Sequence, residues 1–232
     1  MALDLSEENM QRLDKKITVI GMPEELKTVM RERASNADEG YFFLDHKTVI
    51  DDQNVEVTLG FQNRGTRQDW FEPDLLGVTL QRNPANIVDR NVFFLPSGED
   101  VNIREAYNLM QGRAIMRHAG IFGEDTYWMR LNIQNEFHGI RGPEIVKGHK
   151  DVEDLIRQSP MAKKVSSEEK TAIVRGLEQG DRHRLDRADG ASFFLIANPE
   201  KDRIDLENEK RQLLNWKLFS QAIHESHARP GR

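Results

Sequence analysis

The side chains able to do chemistry fall into three groups, of which the arginines are the largest. Arg182, His183, Arg184 and Arg187 stand within DRHRLDRAD (Asp181 to Asp189), Arg175 lies just upstream, and GRAIMRH carries Arg113 and Arg117. Alternation along a strand would set Arg182 and Arg184 on one face with Asp186, and His183, Leu185 and Arg187 on the other. Two arginine-bearing hairpins in matching positions could line one groove and hold a nucleotide or a phosphate backbone. Three acidic residues within the same nine offset much of that charge, so a solvated strand face is the competing account.

Histidine is the second group. The chain has no Cys, so disulfides, thiolate chemistry and Cys-ligated metals are excluded, and a metal would need the seven histidines. His224 and His227 lie three apart around Glu225, His138 and His149 bracket a stretch with Glu144 and Lys147, and His118 stands alone. None has the His-Glu-Xaa-Xaa-His spacing that puts two imidazoles and a base on one helix face, so no metal ligand is assigned. The third group is glycine: HGIRGPEIVKGHK combines Gly139, Gly142 and Gly148 with Arg141, Lys147 and Lys150. Glycines let backbone amides approach a phosphate, but the P-loop spacing is missing and the stretch reads as a connecting loop. No nucleophile elbow, paired-carboxylate signature or kinase set occurs either. The balance leans away from an enzyme, with no catalytic residue and no cofactor assigned.

The elements that would carry these groups show a pattern stated twice. NIREAYNLMQGRAIMRHAGIFGEDTYWMRLNIQ (Asn102 to Gln134) and SSEEKTAIVRGLEQGDRHRLDRADGASFFLIANP (Ser166 to Pro199) each read as a helix ending at Leu-Xaa-Xaa-Gly, a strand, a turn and a strand. Asn102 with Glu105, and Ser166 with Glu169, have capping-box spacing, and Gly112 and Gly180 supply the positive-φ stop. Upstream, Ser6 with Glu7 and Glu8 opens one helix, and Pro23 with Glu24 and Glu25 opens another. YFFLDHKTVI and NVEVTLGFQ follow as strands, Leu75 to Gln81 and Val92 to Leu95 as two more, with RNPANIVDRN a polar connection. Tyr127, Trp128, Phe193 and Phe194 occupy equivalent strands of the two copies and read as core. A final helix runs from Asn208 to about Glu225. Its Trp216, Phe219 and Ile223 suit a partner surface or self-association.

Helix-strand-strand units of this kind predict an α+β fold, a largely antiparallel sheet with helices on one face. The divisions expected are an N-terminal helix over 1–14, a first α+β half over 15–98, a second over 99–206 with the signature repeat, and a C-terminal helix with a frayed tail over 207–232. The 232 residues suffice for a real core. A net charge of -6 argues against a surface that coats phosphate generically. No apolar run approaches a membrane span, and the acidic start is unlike a signal peptide, so a cytoplasmic protein that does not span a membrane is expected.

GEDVNIREAYNLMQGRAI resembles the signature of an uncharacterised family carried on conjugative and other mobile elements of Bacteroides-type bacteria. The likeness continues in order through KGHKDVEDLIRQSPMAKKV, GLEQGDRHRLDR and FFLIANPEKDRIDL, and upstream through ITVIGMPEELKTVM and NVEVTLGFQ, covering roughly residues 15 to 206. The NIQNEF region is shorter than in the family, and the Trp216 helix has no counterpart there. The resemblance implies a setting and no established activity. The expected function is therefore a non-enzymatic binding or adaptor protein of a mobile genetic element. Its partner would be a host protein, one of host defence included, or a DNA-transfer or replication complex. Direct nucleic-acid or nucleotide binding through the arginine hairpins is the alternative, and a metal-dependent hydrolase built on His138 and His149 a second one.

Overall fold

The computed structural model describes residues 7–37, 40–63, 70–82, 87–95, 101–119, 125–146, 148, 150–161, 165–186 and 192–216. Among them five α-helices and ten strands form an α+β fold of three antiparallel sheets, ordered β1-β2-β3-β4, β5-β6-β7 and β10-β9-β8. The chain divides into two compact units, Met1–Met110 with Asn132–Gly142, and Gln111–Leu131 with Pro143–Arg232.

In the first unit, helices α1 (Glu7–Ile20) and α2 (Leu26–Ser35) precede strands β1 (Tyr41–Ile50), β2 (Gln53–Asn63), β3 (Phe71–Arg82) and β4 (Ile87–Phe94), and α3 (Ile103–Met110) follows. Alternation decides which side is covered. Val55, Val57 and Leu59 of β2 and Leu76, Val78 and Leu80 of β3 are buried, against Leu13 and Ile17 of α1 and Ile103 and Tyr107 of α3. Phe42 stacks on Phe61 with centroids 4.6 Å apart and meets Phe71 edge-on at 5.1 Å, closing one end of this core. The first capping box forms: Glu105 N–H donates to Asn102 Oδ1 over 2.9 Å, and Asn102 N–H to Glu105 Oε2 over 3.0 Å. Both glycine stops have positive φ, 78° at Gly112 and 77° at Gly180.

The second unit holds β5 (Ile115–Ala119), the first part of β6 (Asp125–Phe137), the last part of β7 (Ile140–Val146), α4 (Val152–Gln158), α5 (Ser167–Glu178), β8 (His183–Asp186), β9 (Ser192–Asn198) and β10 (Arg203–Glu207). Helix α5 packs on β5, β8 and β9, and its Ile173 and Leu177 join Trp128, Phe193, Leu195 and Ile204 in one core. Trp128 and Phe193 are buried, as their core reading expects, whereas Tyr127 and Phe194, the alternate residues of the same strands, are only partly buried.

Three local expectations need correction. HGIRGPEIVKGHK is no simple loop: His138 (φ 51°) and Gly139 (φ 80°) make a two-residue turn, and Ile140–Val146 is a strand. Two successive left-handed residues match the twist of a tight hairpin, and β7 tolerates Pro143 because it is an edge. Within RNPANIVDRN, β4 already begins at Ile87, completing the register of β3 out to Arg82 opposite Ile87. Finally, the chain does not turn helical at Asn208. Arg211 takes φ 60°, Leu213 bridges Glu207, and Leu214 N–H donates to Leu206 O over 2.7 Å, so this stretch lies along β10.

Candidate functional site

The arginine hairpins come first, as the sequence singles them out. Arg113 is 8% exposed at the entry to β5, and Arg117 is half-buried opposite Tyr127. Arg182, just ahead of β8, has its Nε 3.3 Å from Glu207 Oε2, donates to Asn208 O over 3.0 Å, and lies over the Phe194 ring at 4.1 Å. Arg184 is exposed and reaches back 2.7 Å to Asp186 on its own strand. Arg187 lies outside the described residues. The hairpins belong to different sheets, β5-β6-β7 and β10-β9-β8, and both described arginines of the second are matched by a carboxylate.

One cavity of about 360 Å³ collects part of this set. Arg113, Arg130 and Gln111 face Glu200, Asp205 and Glu207 around an apolar lining that includes Val146, Ile196 and Leu213. Arg130 Nε donates to Glu144 over 2.5 Å and its Nη1 to Glu200, while Asp205 accepts from Asn198 Nδ2 at 2.6 Å and Arg203 Nε at 2.7 Å. Arg182 is tied to this wall through Glu207; Arg117 and Arg184 are not in the lining. The terminal nitrogens of Arg113 are shut off from solvent. These bonds link β6 to β7 and to the 199–201 turn, and β9 to β10.

Trp216 is half-buried against the second unit's core, and its indole N–H donates to Ile204 O over 3.2 Å. Phe219 and Ile223 lie outside the described residues, as do His149, Lys147, His224, Glu225 and His227. His138 is exposed at its hairpin turn, edge-on to Phe137 at 4.3 Å. Among the described residues no three His, Cys, Asp or Glu side chains gather as a metal would need, and no helix is long and apolar enough to cross a membrane.

The outer face of the four-stranded sheet carries a feature that the motif reading passed over. Residues in register across an antiparallel sheet share a face, and one row runs Phe43, Gly60, Leu75, Phe94 from β1 to β4. Phe43 is 39% exposed and Phe94 62%, and Tyr41, 49% exposed, meets Phe43 edge-on at 5.8 Å. Gly60 makes the row continuous: a Cβ there would stand 2.9 Å from Leu75 Cγ and 3.1 Å from Phe43 Cε1, so these side chains cover the bare backbone. The next rows are Asp45, Thr58, Gly77, Val92 and then Lys47, Glu56, Thr79, Arg90. In them Thr58 Oγ1 donates to Asp45 over 2.7 Å and Lys47 to Glu56 over 2.8 Å. An aromatic ridge thus borders a polar, internally paired field on one sheet face. The sequence did hold a signal for it. Phe42-Phe43 and Phe93-Phe94 are adjacent pairs in strands, and alternation must send one ring of each pair to the outside. No family model matches the chain, and neither a curated protein nor a solved structure is found similar to it.

Proposed function

We propose that the protein is a non-enzymatic binding protein that engages a protein partner through the outer face of the four-stranded sheet. The observation that carries this reading is the ridge of Tyr41, Phe43, Leu75 and Phe94. Two of its rings are about half or more exposed in a chain with few aromatics to spare. Aromatic side chains held on a rigid sheet and rimmed by polar groups make the central contacts of protein interfaces, because they bury large areas at little entropic cost. The resemblance to proteins of mobile elements supports a partner drawn from the host or from a DNA-transfer complex.

Phe94→Asp should abolish retention of a stoichiometric partner from host lysate, or weaken a purified one by at least about 30-fold, the size of an interface hot spot. Val88→Asp, on the same strand but away from the ridge, should leave binding intact; Val88 is itself 49% exposed. Equal binding by the two variants, or no partner for the unaltered chain, would count against the ridge.

A further inference from the structure

Strand β1 is the edge of its sheet: β2 pairs with one side, and among the described residues no strand pairs with the other. Two bonds show which backbone groups face outward. Asn63 N–H donates to Gly40 O over 2.7 Å, across to β2, whereas Arg33 of α2 donates to the Phe43 carbonyl. In an antiparallel ladder both polar groups of a residue point to the same side and alternate along the strand. Phe43, Asp45, Lys47 and Val49 therefore turn their N–H and C=O groups away from β2. Over Asp45–Ile50 no side chain is buried on either face, and Val49 is 62% exposed.

Beyond the Phe43 carbonyl, which Arg33 already occupies, this edge templates pairing with another strand, and the order of its residues selects which. A second copy related by a two-fold axis must pair antiparallel, with the axis passing through a residue so that outer face meets outer face. An axis at Asp45 sets that carboxylate against itself, and one at Lys47 opposes two ammonium groups. An axis at Leu44 pairs Asp45 with the partner's Phe43, and one at Thr48 pairs it with the partner's Asp51. The axis at His46 alone of these five sets Asp45 opposite the partner's Lys47, twice by symmetry, and Phe43 opposite the partner's Val49, also twice. Lys47 would then lie between Glu56 of its own chain and the partner's Asp45, and the exposed Val49 would gain an aromatic neighbour.

We propose that the chain forms a two-fold dimer by antiparallel pairing of β1 with β1, centred on His46, which joins two four-stranded sheets into one. The ridge residues Leu75 and Phe94 take no part in this seam, so the dimer and the partner surface are tested by separate variants.

Sedimentation velocity on the full chain, in a concentration series reaching roughly 0.5 mM, should show monomer passing to dimer. Asp45→Lys and Lys47→Asp each place like charges opposite one another in both symmetric pairs and should weaken the dimer about tenfold or more. The double variant restores opposite charges and should recover most of the affinity. Val49→Lys, a change at an exposed side chain, should weaken it independently of the swap, and circular dichroism checks that each variant is folded. A monomer at every concentration overturns the proposal, as does a dimer that the single changes leave unmoved or that the double swap fails to restore.

Discussion

An added methyl group at Gly148 would stand 2.9 Å from both Pro199 Cβ and Trp128 Cδ1, and 3.2 Å from the Pro199 carbonyl oxygen. Trp128 is buried, with its indole N–H given to Lys150 O over 3.0 Å, so neither neighbour can yield cheaply. Gly148→Ala should cost about 2–3 kcal/mol in urea denaturation, the upper range for overpacking. At Gly60 the obstruction is two side chains on an open face, and Gly60→Ala should cost only about 1 kcal/mol. Titratable residues of the second unit report on burial as well. Burial lifts the Glu178 carboxyl above its ordinary value near 4.5, against the opposing pull of His118. The unfolded chain holds this carboxylate more comfortably, so Glu178→Gln should melt higher than the unaltered protein at pH 7, with the gap closing as pH falls toward 4.5. Burial lowers His183 below its ordinary 6.5, against Asp181 and Glu169. A proton then prefers the unfolded chain, and stability should fall as pH drops through about 6.5, a slope that His183→Gln should flatten.

Elements whose signals are local were readable in advance, and those that depend on distant pairing were not. Ser166 Oγ accepts from Glu169 N–H at 3.2 Å while Glu169 Oε2 accepts from Ser166 N–H at 2.8 Å, the reciprocal pair that the three-residue spacing announces. Ser166→Ala should lower stability by about 1 kcal/mol, measurable as a shift of the urea midpoint at unchanged slope. The Ser166 backbone and side-chain bonds also hold the Glu169 carboxyl below its ordinary value, so this box loosens as pH falls through the carboxylate range. The segment from Asn208 to Asn215 is not the helix that its apolar residues suggest; helical backbone is reached only at Trp216. Leu213, Leu214 and Trp216 fit a helical arc, but the competing offer was the open side of β10, where Leu214 and Trp216 donate to Leu206 and Ile204. Arg211 enters the left-handed region to make that return, and nothing in its residue type foretells it. Likewise β7 was masked by Pro143, which an edge strand accepts, and by glycines that punctuate the run.

At the scale of the whole molecule, the α+β class and the doubled helix-strand-strand pattern were legible because each copy carries its own caps, stops and strand periods. The candidate surface was less so. A ridge formed by Phe43, Leu75 and Phe94 draws on three strands, and only the register between them brings 43, 75 and 94 into line. The arginines drew notice through adjacency in sequence, yet the carboxylates that Arg182 and Arg184 meet are Glu207 and Asp186, the first of them on another strand. The interleaving of the two units bears on how the protein is made. The first unit includes Asn132–Gly142, where Arg141 donates to Asp89 over 2.6 Å and exchanges two backbone bonds with the Asn91 amide. A ribosome that has released residues up to Met110 has therefore not yet delivered the pieces that complete this unit. Asn91, 2% exposed in the finished fold, cannot make these bonds until another thirty-odd residues emerge, some of which belong to the second unit. Synthesis thus presents the two units to the cell as one joint folding problem, and cutting the gene at residue 110 would not yield half of the protein.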